Sequence, residues 1–201
     1  MIEREAKLAA DAALVLPDLA GAVPGAHVDV AASKHLDAQY YDGASLPLAA
    51  VGATARYRTG EGGGKWTVKR PGQAEGALLA RDEIDVDAPA SPVPDAVVAH
   101  LGDLLAGEAL VPVARLVTDR SRIVVRDGSG AELAEIADDV VRVLDGEREV
   151  AAFREIEVEL AVDAPVEVLH QIVDRLEAAG ATASDPTPKL VRALRLMGSA
   201  T

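Results

Sequence analysis

The sequence contains no cysteine, few aromatic residues and no long apolar run. Without cysteine the chain cannot form a disulfide, a thiolate metal site or a thiol nucleophile, which fits a reducing compartment. Aromatic residues make up 2% of the 201 residues and hydrophobic residues 49%, so alanine and aliphatic side chains must build the core. No stretch approaches the roughly 18 apolar residues of a membrane helix, and the N-terminal MIEREAKLAA is too charged for a signal peptide. We therefore expect a cytoplasmic globular domain with no membrane partner.

Positive charge is also scarce. Lysine and arginine number 20 against 33 acidic residues, which gives a formal net charge of −13. A surface with this excess repels polyanions, because like charges raise the free energy of association. The charge therefore predicts no nucleic-acid partner.

Apolar and polar residues alternate with a period of two over much of the chain, which indicates half-buried strands. Gly-rich segments at 60–64 and 127–130 are typical of hairpin turns. Helical spacing predicts helices over 94–105 and 165–179 and a short last helix over 188–197. About eight strands with few helices predict an α+β fold whose antiparallel sheet closes, or nearly closes, into a barrel. The predicted strands cover about residues 2–8, 53–59, 65–70, 78–86, 111–118, 121–126, 132–139 and 150–161.

Several of these strands place charge on a face that a barrel would bury. A small barrel normally fills its interior with apolar side chains, and an unpaired buried charge costs several kcal/mol. An ionic interior therefore needs internal pairing or a charged ligand. An interior with both acidic and basic side chains suits a polyanion with divalent cations, since carboxylates bind the metal and basic groups bind phosphate. The residues that share a strand face are Glu3, Glu5 and Lys7; Arg56 and Arg58; Arg81 and Glu83; and Glu155, Glu157 and Glu159.

Each of these motifs by itself has a simpler interpretation. Glu3 and Lys7 have the i,i+4 spacing of a salt bridge on a helix surface. The acidic residues at 155–159 are typical of the solvated face of an edge strand, and Arg56 and Arg58 fit the outside of a hairpin. The three interpretations are less convincing together. Each puts the charged face in solvent and leaves only the opposite, modestly apolar face of the strand to be buried.

A series of motifs along nearly the whole chain resembles the CYTH family, also called triphosphate tunnel metalloenzymes. EREAK at 3–7 is similar to the ExExK signature of the family, and QYYDG at 39–43 to its QYYDT segment. The order of the motifs most resembles the CYTH module that precedes a CHAD helical domain in fused bacterial proteins, which implies a CHAD domain as a neighbour in a longer chain. The further matches are GATARYR at 52–58, WTVKRPG at 66–72, ARDEIDV at 80–86, PVARLVTDR at 112–120, LAEIADD at 133–139, REIEVEL at 154–160 and PTPKLVRAL at 186–194.

The resemblance implies one domain over residues 1–201: an eight-stranded antiparallel closed tunnel over 2–183, with inserted helices, and a plug helix over 186–197. It implies Mg²⁺ or Mn²⁺ as cofactor, bound by acidic residues at Glu3, Glu5, Glu135, Asp139, Glu157 and Glu159. Glu5, Glu157 and Glu159 are also expected to position a metal-activated water. Phosphate contacts are expected from Lys7, Arg56, Arg58, Lys69, Arg81, Arg115, Arg120 and Lys189.

The function expected from the resemblance is metal-dependent hydrolysis of inorganic triphosphate, or of another triphosphate-containing compound or short polyphosphate. Trp66 is predicted to face out of the tunnel, which leaves no obvious platform for stacking a base. Three alternatives stay open: a class IV-type adenylate cyclase that makes cyclic AMP from ATP, a non-catalytic polyphosphate-binding module, and a barrel whose charges pair internally. If the eight basic residues, the six acidic ones and Glu83 lie inside, the interior carries +1 and the exterior −14.

Overall fold

The structure is a computed structural model that describes residues 2–75, 78–183 and 187–199. Its helices are α1 (Pro47–Val51), α2 (Asp95–Leu101), α3 (Val166–Ala178) and α4 (Lys189–Ser199), and a 3₁₀ turn over Gly102–Leu105 follows α2. The strands are β1 (Ile2–Ala10), β2 (His27–Asp42), β3 (Thr54–Thr59), β4 (Lys65–Lys69), β5 (Gln73–Glu75), β6 (Leu78–Val86), β7 (Val111–Arg126), β8 (Glu132–Asp145), β9 (Arg148–Leu160) and β10 (Thr182–Ala183).

Eight of these strands form a closed antiparallel ring. The order around the ring is β1-β9-β8-β7-β2-β3-β4-β6, and β6 pairs again with β1 to close it. The short strands β5 and β10 add to β6 and β1 outside this circuit. Because side chains alternate across each strand, every strand of the ring sends one set of residues inward and the other outward. The predicted α+β tunnel fold is confirmed.

The strand count is right, but the strands differ from the predicted set. The runs predicted at 111–118 and 121–126 are one continuous strand, β7, because its pairing with β8 continues without a break through Asp119 and Arg120. The eighth strand of the ring is β2, which the alternation did not predict. Its first half, at residues 27–35, is mostly exposed or half-buried, so it lacks the apolar period that marks a strand.

Two of the three apolar clusters lie outside the ring, under the helices. Helix α3 buries Val168, Leu169, Ile172, Val173 and Leu176, which recur at helical spacing on one face, against the outward side of β1, β8 and β9. Helices α1 and α2 cover β3 and β4 in the same way. Trp66 is fully buried there, and its indole donates a hydrogen bond to the carbonyl of Pro89 at 3.0 Å. Trp66 therefore faces away from the inside of the ring, as predicted.

The third apolar cluster lies where α4 packs against the ring. Leu190 and Ala193 of α4 are fully buried against β2, β7, β8 and β9. The helix begins at Lys189, one residue after the predicted start at 188, and continues to Ser199; Pro186, the start of the predicted plug segment, lies outside the described residues. Among the described helices none combines the length and the apolarity needed to cross a membrane.

Candidate functional site

The inside of the ring holds a polar cavity of about 120 Å³. Within residues 2–75, 78–183 and 187–199, its wall contains seven cationic and four acidic side chains, an excess of three positive charges when all are ionised. The cationic ones are Lys7, Arg56, Arg58, Lys69, Arg81, Arg120 and Lys189, and the acidic ones are Glu3, Glu83, Glu157 and Glu159. Tyr40, Thr54 and Pro188 are the other described residues of the wall.

Strand register explains why these side chains meet. Lys7 of β1 lies directly opposite Glu157 of β9, and Glu5 lies opposite Glu159, so both pairs point to the same side of the sheet. β9 lies between β1 and β8 in the ring, so its acidic residues are not on an edge strand. Lys7 lies on a strand and not on a helix, which rules out the helix-surface salt bridge with Glu3.

Glu157 is the centre of the ion-pair network. Its carboxylate accepts hydrogen bonds from the Lys7 ammonium and, at 3.1 Å, from Arg120, and it lies 2.9 Å from the Lys189 nitrogen. Burial by itself would raise the pKa of Glu157, but Lys189, Lys7 and Arg120 together hold it well below its usual range. Glu157 is therefore an anion that holds three cavity cations in place.

A second group of ion pairs lies along β1, β4 and β6. The Lys69 ammonium donates to both oxygens of Glu3, at 2.7 and 2.6 Å, and lies 2.9 Å from Glu83. Arg81 donates to the buried carboxylate of Glu5. These contacts attach the basic groups of β4 and β6 to the carboxylates of the first strand.

Two arginines of β3 carry positive charge that the wall does not fully offset. The Arg56 guanidinium donates to the Tyr40 hydroxyl at 3.3 Å, and within the described residues it makes no ion pair with a carboxylate. The Nε atoms of Arg56 and Arg58 are buried without a hydrogen-bond partner. The charge of Arg56, together with burial, lowers the pKa of Arg58 to about 10. Crowded guanidinium groups of this kind favour a bound anion.

Glu159 differs from the other acidic residues of the cavity. In the described part of the chain its carboxylate has no hydrogen bond and no ion pair, and its side chain reaches solvent. Burial by the surrounding wall, together with repulsion from Glu3 and Glu5, raises the pKa of Glu159 to about 7. Burial also raises the pKa of Glu3, and Lys69 offsets this only in part. Two carboxylates with raised pKa values thus face the same space.

These carboxylates fit a divalent cation in their chemistry. Among the described residues no group of three or more histidine, cysteine or acidic side chains is arranged to hold a metal ion. Mg²⁺, however, usually takes one or two carboxylates and completes its shell with water and substrate phosphates. Glu159 and Glu3 could supply the two carboxylates of such a site, because oxygen donors that repel each other gain from a cation between them.

Four predicted site residues do not line the cavity. Glu5 and Asp139 are fully buried behind it, and Asp139 pairs with Arg120 at 2.7 Å and with Lys189 at 3.0 Å. Glu135 shares the inward face with Glu159 but is bound to Arg122. Arg115 binds Asp37 through two hydrogen bonds, at 3.0 and 2.6 Å, on the other face of β7.

The resemblance of PVARLVTDR to a motif of the CYTH family predicts Arg115 inside the ring, and the structure places it outside. Arg120 lies five positions after Arg115, an odd offset, and the two therefore face opposite sides of an unbroken strand.

Five residues of the site were not predicted as site residues, and two of them are the wall residues Glu83 and Pro188. Tyr40 and Thr54 line the cavity, and the buried Glu155 lies 2.6 Å from the Lys189 nitrogen. Glu155 shares the period-two pattern of Glu157 and Glu159, and this pattern indicated its inward direction. The sequence indicated the inward direction of Tyr40 less clearly, because apolar and polar residues do not alternate regularly along β2.

Comparison with curated proteins finds relatives of greater length. The uncharacterized proteins MT2285 and Rv2226 of Mycobacterium tuberculosis, from strains CDC 1551 / Oshkosh and ATCC 25618 / H37Rv, are each 29% identical over 211 residues. The match covers 96% of this chain and 40% of each relative, so the chain spans about two fifths of their length.

Comparison with solved structures finds the same fold at low sequence identity. A candidate adenylyl cyclase from Hippeastrum, described as having a dominant triphosphatase activity, superposes with a TM-score of 0.58 at 17% identity, covering 96% of this chain and 95% of that one. The PH1819 protein from Pyrococcus horikoshii gives 0.55 at 16% identity, with 98% and 99% covered. A candidate adenylate cyclase from Bacillus halodurans gives 0.54 at 16% identity, with 84% and 95% covered.

The motifs along the strands, the closed ring and its charged interior all agree with one family. The model of the CYTH domain matches residues 1–192, which is nearly the whole sequence. The chain belongs to the CYTH domain family.

Proposed function

We propose that this chain hydrolyses inorganic triphosphate, or another triphosphate-containing compound, with the help of Mg²⁺ or Mn²⁺. The observation that carries the proposal is the cavity itself, where seven basic side chains face four carboxylates inside a closed ring. Hydrolysis forms a bond between a water oxygen and the terminal phosphorus and breaks the bond from that phosphorus to the bridging oxygen, which leaves with pyrophosphate. The structural neighbour from Hippeastrum, described as having triphosphatase activity, supports this choice of reaction.

The basic residues of the cavity bind the triphosphate. A triphosphate carries several negative charges at neutral pH, and Arg56 and Arg58 have guanidinium nitrogens without partners to receive them. Lys7, Lys69 and Arg120 are paired with carboxylates of the cavity wall. Since the cavity is smaller than the pockets of about 300–1,000 Å³ that hold most ligands, these side chains must turn towards the phosphates as the substrate enters.

The metal would be held by Glu159 and Glu3. When bound there, it supplies positive charge at the phosphate oxygens and acidity to a neighbouring water. Glu157 keeps Lys7, Arg120 and Lys189 in place around the phosphates and so orients the substrate. Asp139 and Glu5 fix the directions of Arg120 and Arg81 from behind, which makes them positioning residues rather than ligands of the cavity.

A class IV-type adenylate cyclase is the second candidate. It is favoured by the structural neighbours described as candidate adenylate cyclases. The position of Trp66 counts against it, because the indole is buried outside the ring and cannot stack on an adenine inside. Polyphosphate binding without turnover is the third candidate, and the wall with its excess of positive charge fits this as well.

One assay separates these candidates. Phosphate release is measured from triphosphate, ATP, thiamine triphosphate and long polyphosphate, each with Mg²⁺, Mn²⁺ or a chelator, and cyclic AMP is measured with ATP. We expect metal-dependent release of phosphate from triphosphate and no cyclic AMP. Cyclic AMP as the main product would establish the cyclase, and binding without phosphate release would establish the polyphosphate module. If the charges only pair internally, calorimetry will show no heat with triphosphate and Mg²⁺.

We also propose that the domain works in the cytoplasm beside a CHAD domain in a longer chain. The support is the resemblance of its motifs to CYTH–CHAD proteins and the greater length of its curated relatives. A CHAD domain would be encoded in the same reading frame, so sequencing the complete gene tests this directly.

A further inference from the structure

A groove lies next to the cavity and shares a wall residue with it. Its lining is formed by Lys34, Arg58, Asp87 and the hairpin between β3 and β4, residues 61–65. Arg58 also lines the cavity, so one guanidinium belongs to both spaces. A linear ligand that fills the cavity can therefore continue into the groove without leaving the reach of a positive charge.

Lys34 brings a second positive charge to the groove. It is opposite Arg120 in the pairing of β2 with β7, and hence on the same side of the sheet. About a quarter of its side chain is exposed, compared with one twentieth for Lys7 in the cavity. Lys34 and Arg58 thus form a pair of cations where the cavity opens.

An anionic side chain of the protein already occupies this pair. The Glu61 carboxylate accepts a hydrogen bond from Lys34 with one oxygen and forms an ion pair with Arg58 through the other. Burial by itself would raise the pKa of Glu61, but Lys34 and Arg58 hold it at about 2, so the group is charged at neutral pH. A carboxylate that offers one oxygen to each of two cations makes the contacts that two oxygens of a phosphate group would make with the same cations.

We propose that Lys34, Arg58 and Glu61 form an outer phosphate subsite, in which Glu61 holds the place that the fourth phosphate of a linear polyphosphate takes. The proposal rests on the proposed binding of triphosphate in the cavity and extends it to substrate length. Triphosphate ends inside the cavity and leaves the Lys34–Glu61 pair intact. A chain of four or more phosphates reaches the groove and displaces Glu61 from both cations.

The test compares the affinities for triphosphate and tetraphosphate. Isothermal calorimetry with each inorganic chain in EDTA gives the ratio of their dissociation constants for the wild type and the variants. With Mg²⁺, where the proposed hydrolysis consumes the ligand, the ratio of the KM values for phosphate release takes its place. Lys34→Gln is expected to weaken tetraphosphate binding about fivefold and to leave triphosphate nearly unchanged, because an accessible charged contact is worth up to about 1 kcal/mol. Glu61→Gln is expected to shift the ratio in favour of tetraphosphate by a similar factor.

Matched controls lie at the other end of the long strands. Arg148→Gln and Glu147→Gln make the same changes of charge on the turn between β8 and β9, far along the sheet from Lys34, and should leave the ratio unchanged. Lys34→Arg should keep the wild-type ratio. If triphosphate binds but Lys34→Gln does not alter the ratio, the outer subsite is wrong while the proposed function stands. If neither chain binds the wild type, the proposed function fails and the subsite with it.

Discussion

At the residue scale, the acidic side chains of the cavity divide into two groups by their partners. Glu157 binds three basic groups, and its removal would leave those groups buried without a counter-charge. Glu159 has no such partner among the described residues and is crowded by Glu3 and Glu5 instead. One carboxylate therefore supports the structure of the site, while the other is available to a ligand.

This division predicts different effects on the free energy of unfolding for two similar substitutions. Glu157→Gln is expected to lower the free energy of unfolding by about 3 kcal/mol, because breaking a buried ion pair leaves an uncompensated charge. Glu159→Gln should leave it unchanged or raise it slightly, since the substitution removes repulsion. Both variants should lose metal-dependent phosphate release. Urea unfolding and a phosphate assay measure the two effects, and equal loss of stability in both variants would contradict the division.

The arginines allow a second prediction at the same scale. Arg56→Ala removes a cavity guanidinium without a carboxylate partner, and we expect the KM for triphosphate to rise about tenfold or more, as charge-assisted contacts are worth about 1.5–3 kcal/mol. Arg115→Ala removes an arginine that binds Asp37 outside the cavity, and the KM should not change. Steady-state kinetics of the two variants decide the point. A similar rise for Arg115→Ala would place its side chain at the substrate after all.

At the scale of elements, the hairpin between β3 and β4 depends on one glycine in particular. Gly60 has a φ of 108°, and a Cβ atom there would lie 2.1 Å from the carbonyl oxygen of His35 on β2. Gly63 has open space at the same position and no positive φ. The glycines of the segment GEGGG are therefore not equivalent, although the sequence presents them as one run.

A matched pair of substitutions checks this. Gly60→Ala is expected to lower the free energy of unfolding by about 2 kcal/mol or more, from backbone strain and the clash with β2. Gly63→Ala should change it by less than about 0.5 kcal/mol. Both are read from chemical unfolding curves. A harmless Gly60→Ala would mean that β2 and the hairpin separate more easily than their contact implies.

At the scale of the whole molecule, the distribution of charge matters more than its sum. The net charge of −13 is that of an acidic protein, yet the wall of the cavity carries more positive than negative groups. The acidic residues of the outer surface keep the total negative. This distribution supports the proposed binding of a small polyanion inside the ring, while the acidic total is the basis for predicting no nucleic-acid partner.

Many carboxylates that bind basic groups also make the stability depend on pH. The pKa of Glu61 is about 2 in the folded chain against an ordinary value of 4.5, and the pKa values of Asp139 and Glu157 are lowered too. A lowered pKa adds stability that is present above about pH 4.5 and is lost as the pH falls towards 2. We expect the thermal midpoint to drop steeply across this range and less steeply in Glu61→Gln. A flat profile would contradict the ion pairs.

The sequence by itself determined the fold class, most strand positions and the inward direction of most charged residues, because these follow from local alternation and from ordered motifs. It did not identify β2 as a strand of the ring, because half of β2 is exposed and lacks the apolar period.

Only the tertiary structure decided which residues reach the cavity. Arg115 and Arg120 lie on one strand, and whether that strand is continuous sets the face that each of them takes. The ion-pair partner of each charged side chain could likewise not be predicted from the sequence, since pairs such as Lys7 with Glu157 or Lys34 with Glu61 join residues far apart in the chain. Local pattern fixes the side of a strand to which a residue points, and only the closing of the ring fixes what it meets there.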